Sequence, residues 1–477
     1  MGFGIDFGTT CSSGVGILKN NAGNLQIIKA SAEGGIPIPS LVAINKHTGE
    51  VICGKAVKDQ YNEFNETCYV IRSIKSILND EHFCITVAGV TWNAVDIAAE
   101  IFHTISETMY EKYHVNMDEA VVSIPVGFDN IKRQKLRMAA EKAGIRIKDF
   151  IGEPTAAYLA NREKLKSANK VLVFDWGGGT LDVTILSNED GKITEIATEG
   201  LSKAGDFIDD MLARRIHNLM AKSKNRMDVA FEDIPLNKQD AIKVMAEKAK
   251  CEFSDNDSSD IFLVNYGELG NITMTLDYDW FKDIIAGLVD EAMDCVNTTL
   301  RYAKMGTASI DAVIMVGGSS QLRPIREAMQ KRFGDKLIIP QDSSWNVGEG
   351  AAKIASMEGE HFAAQDINII LSDGTPYPIL QKGEALKGWH NTITLGIVDT
   401  TNEARLVFSG SMDIDESNKK YYIVKVPAYR FRREAIWITA SIDENLIFKV
   451  EAGSRNMPGY YKAEWIYENL KTGFAVD

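Results

Sequence analysis

Two copies of one short pattern, about 170 residues apart, restrict what this chain of 477 residues can fold into. Each copy is an apolar strand that ends in an aspartate, followed by a glycine-rich turn with threonine and by a second strand. The copies are GFGIDFGTTCSSGVGILK from residue 2 and VLVFDWGGGTLDVTILS from residue 171. One copy alone is also compatible with an ordinary β-hairpin turn. Two copies predict two lobes that hold one phosphate chain between them.

The residue types in these turns suit phosphate and magnesium. Glycines let the backbone approach a polyanion and direct N–H groups at it, and threonine hydroxyls add donors. The aspartates Asp6 and Asp175 can organise Mg²⁺ and its waters, because this ion prefers oxygen ligands. The candidate phosphate ligands are the turn residues Gly8, Thr9, Thr10, Gly177, Gly178, Gly179 and Thr180.

A third motif, VIMVGGSS from residue 313, is a buried strand that runs into a Gly-Gly turn. Such a turn allows a flat ligand, such as a nucleoside, to pack closely on Gly317, Gly318 and Ser319. Alone, such a motif is more often a tight joint between a strand and a helix.

The first two-thirds of the chain alternate short apolar strands with amphipathic helices, which predicts an α/β architecture. After about residue 357 the patterns are those of strands separated by turns, which predicts a small β-sandwich. The predicted strands are 2–5, 121–124, 171–174, 312–316, 392–398, 405–409, 421–426, 435–442 and 446–451, and the predicted helices include 130–143 and 279–303.

Composition excludes several classes of protein. The chain is 45% hydrophobic with a formal charge of −14, which is typical of a globular protein and argues against nucleic-acid and anionic-membrane binding. No apolar run is long enough to span a bilayer, and the first residues lack the basic region of a signal peptide. Six cysteines without a CxxC pair indicate reduced thiols. We therefore expect a cytoplasmic protein without a structural metal.

Together the three motifs resemble the actin-like ATPase superfamily and, within it, the seventy-kilodalton heat-shock chaperones. Further matching segments are IPSLVA from residue 38, SIKSIL from 73, IPV from 124, IGEPTAA from 151 and EKAK from 247. The tail resembles the family's substrate-binding sandwich through AIWITASIDENLIFKVEAG from 435. The resemblance implies an α/β fold with a two-lobed actin-like ATPase domain over 1–362, a hydrophobic interdomain linker over 363–375 and a β-sandwich over 376–477.

The resemblance also implies roles for individual residues. Asp6 and Asp175 would hold hydrated Mg²⁺, and Asp182 would lie at the metal and monovalent-cation positions. Lys75 would stabilise charge on the transferred phosphoryl group, and Glu153 would place the attacking water. Pro125 would be the hinge that couples the domains. The implied cofactors are ATP or ADP and Mg²⁺, with K⁺ as a further candidate, and the remaining nucleotide contacts would be Gly205, Glu247, Lys250, Ser254, Gly317, Gly318 and Ser319.

Departures from the family pattern concern the base and the partners. Cys251 and Gln321 replace arginines that enclose the base, which would remove stacking worth about 0.5–2 kcal/mol each and weaken nucleotide binding or relax base preference. Asp149 and Gly152 replace the arginine and asparagine that dock a J-protein, which argues against an ordinary J-protein partner. We also expect no helical lid, so that a bound peptide exchanges quickly.

The leading hypothesis is an ATP-dependent chaperone whose β-domain binds a protein or extended-peptide client by strand addition, with a nucleotide exchange factor as a candidate partner. The alternative is a nucleotide-regulated adaptor with little ATP turnover, dedicated to one protein partner. A small-molecule kinase lacks a candidate base in the sequence, and a filament-forming actin relative leaves the β-rich tail unexplained. For residues 366–371, an edge strand of the sandwich is the alternative to a linker.

Overall fold

A computed structural model describes residues 1–19, 24–397, 402–410, 421–428, 434–456, 462–467 and 470–476, with the backbone alone at residue 62. The chain divides into two compact units. Unit 1 comprises Met1–Val126, Lys135–Ser187 and Ile196–Ser356, and unit 2 comprises Gly127–Gln134, Asn188–Glu195 and Met357–Asp477.

The secondary structure of the described residues is as follows. The strands are β1 Gly2–Asp6, β2 Cys11–Lys19, β3 Leu25–Ala30, β4 Ile38–Pro39, β5 Val42–Asn45, β6 Val51–Cys53, β7 Cys68–Ile71, β8 Cys84–Val87, β9 Val90–Asn93, β10 Glu119–Ile124, β11 Arg146–Gly152, β12 Lys170–Trp176, β13 Leu181–Glu189, β14 Lys192–Leu201, β15 Ser258–Leu263, β16 Ile272–Asp277, β17 Ala312–Val316, β18 Leu337–Ile338, β19 Gly359–Ala363, β20 Ile367–Ile370, β21 Pro376–Leu380, β22 His390–Gly396, β23 Glu403–Gly410, β24 Tyr421–Pro427, β25 Ala435–Ile442, β26 Phe448–Ser454, β27 Ala463–Tyr467 and β28 Thr472–Val476. The helices are α1 Lys55–Asp59, α2 Tyr61–Thr67, α3 Ile74–Ile77, α4 Ala94–Tyr113, α5 Asn130–Lys142, α6 Glu153–Ala160, α7 Gly205–Ser223, α8 Leu236–Glu252, α9 Tyr278–Tyr302, α10 Arg323–Phe333 and α11 Asn346–Ser356.

The first sheet of unit 1 carries the first hairpin. Its strand order is β11-β10-β1-β2-β3, with β4 paired to β2, and β1 runs parallel to β10 and antiparallel to β2. Helix α11 packs on β1 at very short range, since a Cβ added at Gly4 would lie 2.1 Å from the backbone nitrogen of Ala352. The small residues of β1 therefore seat this helix and fix the strand end at which Asp6 lies.

The second sheet repeats this arrangement. In unit 1 its order is β18-β17-β12-β13-β14, and β12 runs parallel to β17 and antiparallel to β13. Apolar side chains of β12 and β13 pack with those of α7, α8 and α9 in one core, where the rings of Phe253 and Phe281 stack with centroids 4.9 Å apart. The predicted α/β repeat is confirmed, as are the helices predicted over 130–143 and 279–303.

Unit 2 contains two four-stranded sheets with the orders β21-β20-β23-β24 and β22-β25-β26-β27. Alternate residues along the strands face one apolar core, which includes Phe408, Ile438 and Phe448. The predicted β-sandwich is confirmed for the described residues. Residue 398, the end of one predicted strand, lies outside them.

Residues 367–370, inside the predicted linker, form the inner strand β20. This strand pairs with β21 on one side and β23 on the other. Ile367 and Ile369 are buried, whereas Asn368 between them faces the other side of the sheet, as expected for a strand in which successive side chains alternate. The segment thus differs from both interpretations of the sequence, because it is neither a free linker nor an edge strand.

The last strand completes unit 2. Strand β28 pairs antiparallel with β19 on one side and with residues 192–194 of β14 on the other. Residues far apart in the sequence are thereby joined in one ladder. Over the part of the chain that the structure describes, no helix combines the length and the apolarity needed to cross a membrane.

Candidate functional site

The turns of the two hairpins meet inside unit 1. A Cβ added at Gly178 would lie 1.9 Å from Oγ1 of Thr10, and one added at Gly179 would lie 3.0 Å from Cγ2 of Thr9. Any larger residue at position 178 would push the turns apart. The glycines are therefore required by the approach of the two hairpins, which places the threonines of one turn against the backbone of the other.

Backbone hydrogen bonds hold the second turn in shape. The N–H of Gly177 donates to the carbonyl of Thr180 at 3.0 Å. The carbonyl of Gly177 accepts from the N–H of Gly205 at 3.1 Å and from Oγ of Ser319 at 2.7 Å. Two predicted ligands, Gly205 and Ser319, thus support the second turn directly. In the first turn, a Cβ added at Gly8 would lie 2.0 Å from the carbonyl oxygen of Cys11.

Acidic side chains and one lysine gather beside these turns. Lys75 from α3 donates to Oε1 of Glu153, the first residue of α6, with Nζ 2.7 Å away. Asp6, at the end of β1, accepts from Oγ of Ser123 at 2.9 Å. Asp175 and Asp182 are directly opposed across the second hairpin. Five residues predicted from distant parts of the sequence therefore lie in one place.

Burial governs the charges of this cluster. It raises the pKa of Asp6 to about 6, with a further contribution from the charge of Glu153. Burial also raises the pKa of Asp175 well above its usual range, and the pKa of Asp182 to a smaller degree. Burial acts to lower the pKa of Lys75, but the charges of Glu153 and Asp6 outweigh it and the pKa is raised. Because carboxylates outnumber the single ammonium, the cluster suits an added cation.

The donor set fits Mg²⁺ held through water. Oxygen atoms of Asp6, Asp175 and Asp182 are of the type that this ion prefers. Among the described residues no group of three or more acidic, histidine or cysteine side chains forms a ready-made cage for a metal. Mg²⁺ usually keeps several waters and binds through one or two carboxylates plus phosphates, so a cage is not required.

Two side chains predicted for the nucleoside, those of Glu247 and Lys250, have protein partners. Glu247 on α8 accepts from Lys58 at 2.7 Å, and Lys250 lies 2.7 Å from Oδ1 of Asp209. The backbone carbonyl of Ser254 accepts from Arg326.

The Gly-Gly turn after β17 lies next to the carboxylate cluster. Gly317 has φ 79°, and an added Cβ would lie 2.7 Å from Oδ1 of Asp175. Nothing lies within 4 Å of an added Cβ at Gly318, so the backbone is open there, and Cys251 is exposed. Gly318 therefore leaves open space, whereas Gly317 packs against Trp176 and Asp175.

The residues predicted for coupling and docking occupy strand ends and edges. Pro125 follows β10 directly, and Asp149 and Gly152 lie on β11. Oδ1 of Asp149 accepts from the N–H of Phe150 at 2.8 Å.

Sequence reasoning missed a cavity of about 160 Å³ that borders Thr10. Its other walls carry five acidic and three basic side chains, and no motif spacing used in the sequence analysis marks them as a site. The lining residues that were not predicted include Lys58, Tyr61, Arg72, Asp206, Asp209, Asp240 and Lys243.

The comparison with known families decides the assignment. The model of the family described as Hsp70 protein matches residues 72–459. The chain belongs to the Hsp70 family. The match includes Lys75, Glu153 and the second hairpin, while the first hairpin precedes it.

Members of the Hsp70 family are chaperones of the heat-shock type and ATPases. They bind ATP or ADP with Mg²⁺ and take protein or peptide clients. The resemblance stated from the motifs, and the fold class it implied, are confirmed.

Proposed function

We propose that this Hsp70 protein hydrolyses ATP between its two hairpin turns and uses the nucleotide state to regulate a client site on its β-sandwich. The meeting of the turns at Gly178 and Thr10 supports this most directly. Hydroxyl and N–H groups of both hairpins are therefore close together, which suits the binding of a polyphosphate. We propose 1–362 as the ATPase domain, and the β-sandwich as the client domain.

The chemistry follows from positioning and charge. Phosphoryl transfer needs little covalent help, so preorganised charge and a placed water carry most of the rate. Lys75 neutralises charge on the terminal phosphate, and the carboxylate of Glu153 beside it accepts a hydrogen bond from the attacking water. Asp6, Asp175 and Asp182 hold the hydrated cation. Mg²⁺ supplies neutralisation of the phosphate oxygens.

Single-turnover hydrolysis with Lys75→Ala tests the enzyme. We expect the rate to fall by about 10²–10³, because one preorganised electrostatic group is removed. Lys55→Ala is the matched control, since Lys55 pairs with Asp59 within its own helix. Equal rates in wild type and Lys75→Ala would contradict the assignment. If wild type and both variants bound nucleotide but did not hydrolyse ATP, the adaptor hypothesis would be favoured.

The client site is proposed along β24, an edge strand of the sandwich. Tyr421 and Ile423 on this strand are 53% and 59% exposed. An extended peptide that adds to a sheet edge gains main-chain hydrogen bonds, and outward apolar residues supply contacts for its side chains. A labelled apolar peptide followed by fluorescence anisotropy should bind Ile423→Ser at least several-fold more weakly. Ile466→Ser, on an edge of the other sheet, is the control, and equal losses would exclude β24.

A further inference from the structure

We propose that Arg72 is a second cationic ligand for the phosphate chain of the bound nucleotide, beside Lys75. The proposal rests on the proposed function, because it requires a nucleotide in this site. Nothing in the motifs points to Arg72, and the structure brings it to the site through one short connection.

This connection between β7 and α3 supplies both cations. Strand β7 ends at Ile71, Ser73 adopts the left-handed conformation with φ 53°, and α3 begins at Ile74. Ile71 and Ile74 are buried and fix the connection from both ends. Lys75 thereby points into the protein, while the exposed Arg72 borders the cavity.

Arg72 lines the same cavity as Thr10, a proposed hydrogen-bond donor to the phosphate chain. Arg72, Thr10 and Asp206 line the same cavity of about 160 Å³. Oγ1 of Thr10 lies 3.4 Å from the carboxylate of Asp206. Burial raises the pKa of Asp206, and the charge of Arg72 is among the influences that oppose this rise. The guanidinium is therefore close enough to act on groups at the phosphate-binding turn.

Arg72 is oriented without being neutralised. It donates to the hydroxyl of Tyr61, and its Cζ lies 4.9 Å from the centre of that ring. Within the described residues no carboxylate forms an ion pair with it. A fixed guanidinium with free donors is suited to recognise phosphate oxygens.

The other cations of the cavity wall are occupied. Lys58 pairs with Glu247 at 2.7 Å, and Lys243 pairs with Asp210 at 2.9 Å. Asp206 and Asp240 also line this cavity, and both would repel a polyanion if ionised. A phosphate chain that extends past Thr10 thus needs a positive charge on this side of the cavity. Among the described wall residues, Arg72 is the basic residue that forms no ion pair with a carboxylate.

Calorimetric titration of the full chain with adenosine, ADP and adenylyl-imidodiphosphate, each with Mg²⁺, tests the proposal. Arg72→Ala should bind the two phosphorylated ligands at least about tenfold more weakly, as expected for a lost charge-assisted contact, and should bind adenosine unchanged. Arg72→Lys should recover part of the loss, because it keeps the charge without the planar fork. The matched control is Lys243→Ala, which removes a neutralised charge from the same wall and should change each affinity less than about twofold.

The opposite results overturn the proposal. Wild-type affinity in Arg72→Ala would do so, as would an equal loss for adenosine or an equal effect of Lys243→Ala. Thermal unfolding of each variant verifies that it is folded as wild type. If wild type bound none of the three ligands, the proposed function itself would fail. Normal binding by wild type with an unaffected Arg72→Ala would overturn this inference alone.

Discussion

Asp209 shows how single residues in unit 1 respond to burial. It lies on α7, its side chain is 14% exposed, and its carboxylate meets the ammonium of Lys250. Burial raises the pKa of Asp209 to about 7, although the charge of Lys250 acts in the opposite direction. Its neighbour Asp210 is different, because hydrogen bonds from Lys243 and Arg214 overcome the effect of burial and hold the pKa of Asp210 below its usual range.

This contrast predicts the pH dependence of Asp209→Asn. An unfolded aspartate titrates near 4 and Asp209 near 7, so the folded state binds more protons between these values and stability falls as pH rises. Asparagine does not titrate, so the variant does not lose stability in this way. The difference in free energy of unfolding, variant minus wild type, should therefore rise between pH 5 and pH 8 in urea titrations.

Asp210→Asn is the control for that measurement. Because the pKa of Asp210 is lowered, its titration is complete below pH 5, and its difference from wild type should stay constant between pH 5 and pH 8. A constant difference for Asp209→Asn as well would show that the carboxyl is ionised throughout.

Helices of unit 1 position the site through close packing. Helix α6 begins with Glu153, and α11 packs against it with almost no space between the backbones. A Cβ added at Gly350 of α11 would lie 1.9 Å from the carbonyl oxygen of Ala156. Backbone atoms cannot rotate out of the way, so the separation of the two helices depends on this glycine.

Gly350→Ala should therefore destabilise the protein by about 1–3 kcal/mol and slow ATP hydrolysis, because overpacking displaces α6 and Glu153. Gly287→Ala makes the same change in α9, where nothing lies within 4 Å of the added Cβ. This control should be neutral or stabilise by up to about 1 kcal/mol. Chemical denaturation measures both, and equal values for the two variants would contradict the packing argument.

Two contacts join α8 to the short helices before β7. Lys58 of α1 pairs with Glu247, and Nδ2 of Asn65 in α2 lies 2.6 Å from Asp240. Lys58, Glu247 and Asp240 line the cavity, so we expect the two contacts to resist its opening.

We accordingly expect Lys58→Ala to release a fluorescent ADP analogue several-fold faster in stopped-flow measurements, since one partly exposed ion pair contributes up to about 1 kcal/mol. Lys55→Ala, which loses only a pair within α1, should release it at the wild-type rate. An unchanged rate in Lys58→Ala would show that the pair does not limit release.

At the scale of the whole molecule, unit 2 depends on one strand that joins distant segments. Gly473 of β28 lies between Thr194 and Phe362 of its two neighbours. A Cβ added there would lie 2.3 Å from Cζ of Phe362 and 2.8 Å from the carbonyl of Ile193. No larger residue fits without displacing the strand.

Gly473→Val should therefore accelerate hydrogen exchange in β19 and in residues 192–194 together, because both ladders lose the same partner. Gly396→Val in β22 is the control, since nothing lies within 4 Å of its added Cβ. Protection that is lost equally in both variants would show that β28 does not hold these segments together.

Local patterns were sufficient for much of the fold. The duplicated hairpins, the strand 312–316 and the long helix of α9 follow from periodicity and glycine placement, which act over a few residues. The segment 366–371 shows the limit. Its apolar run resembles a linker and is also compatible with an edge strand, and only pairing with β21 and β23 on both sides makes it an inner strand.

By itself the sequence determined the family and the two glycine-rich turns, because glycine spacing and strand ends are encoded locally, and the family resemblance named Lys75 and Glu153 as candidates. The tertiary structure decided which charges act together. Arg72, Tyr61 and Asp209 resemble any surface residues in the sequence, and their meaning depends on distances and burial that arise only when remote segments pack. Electrostatic interactions depend on the distance between charges and on their exposure to solvent, and local sequence patterns specify neither quantity.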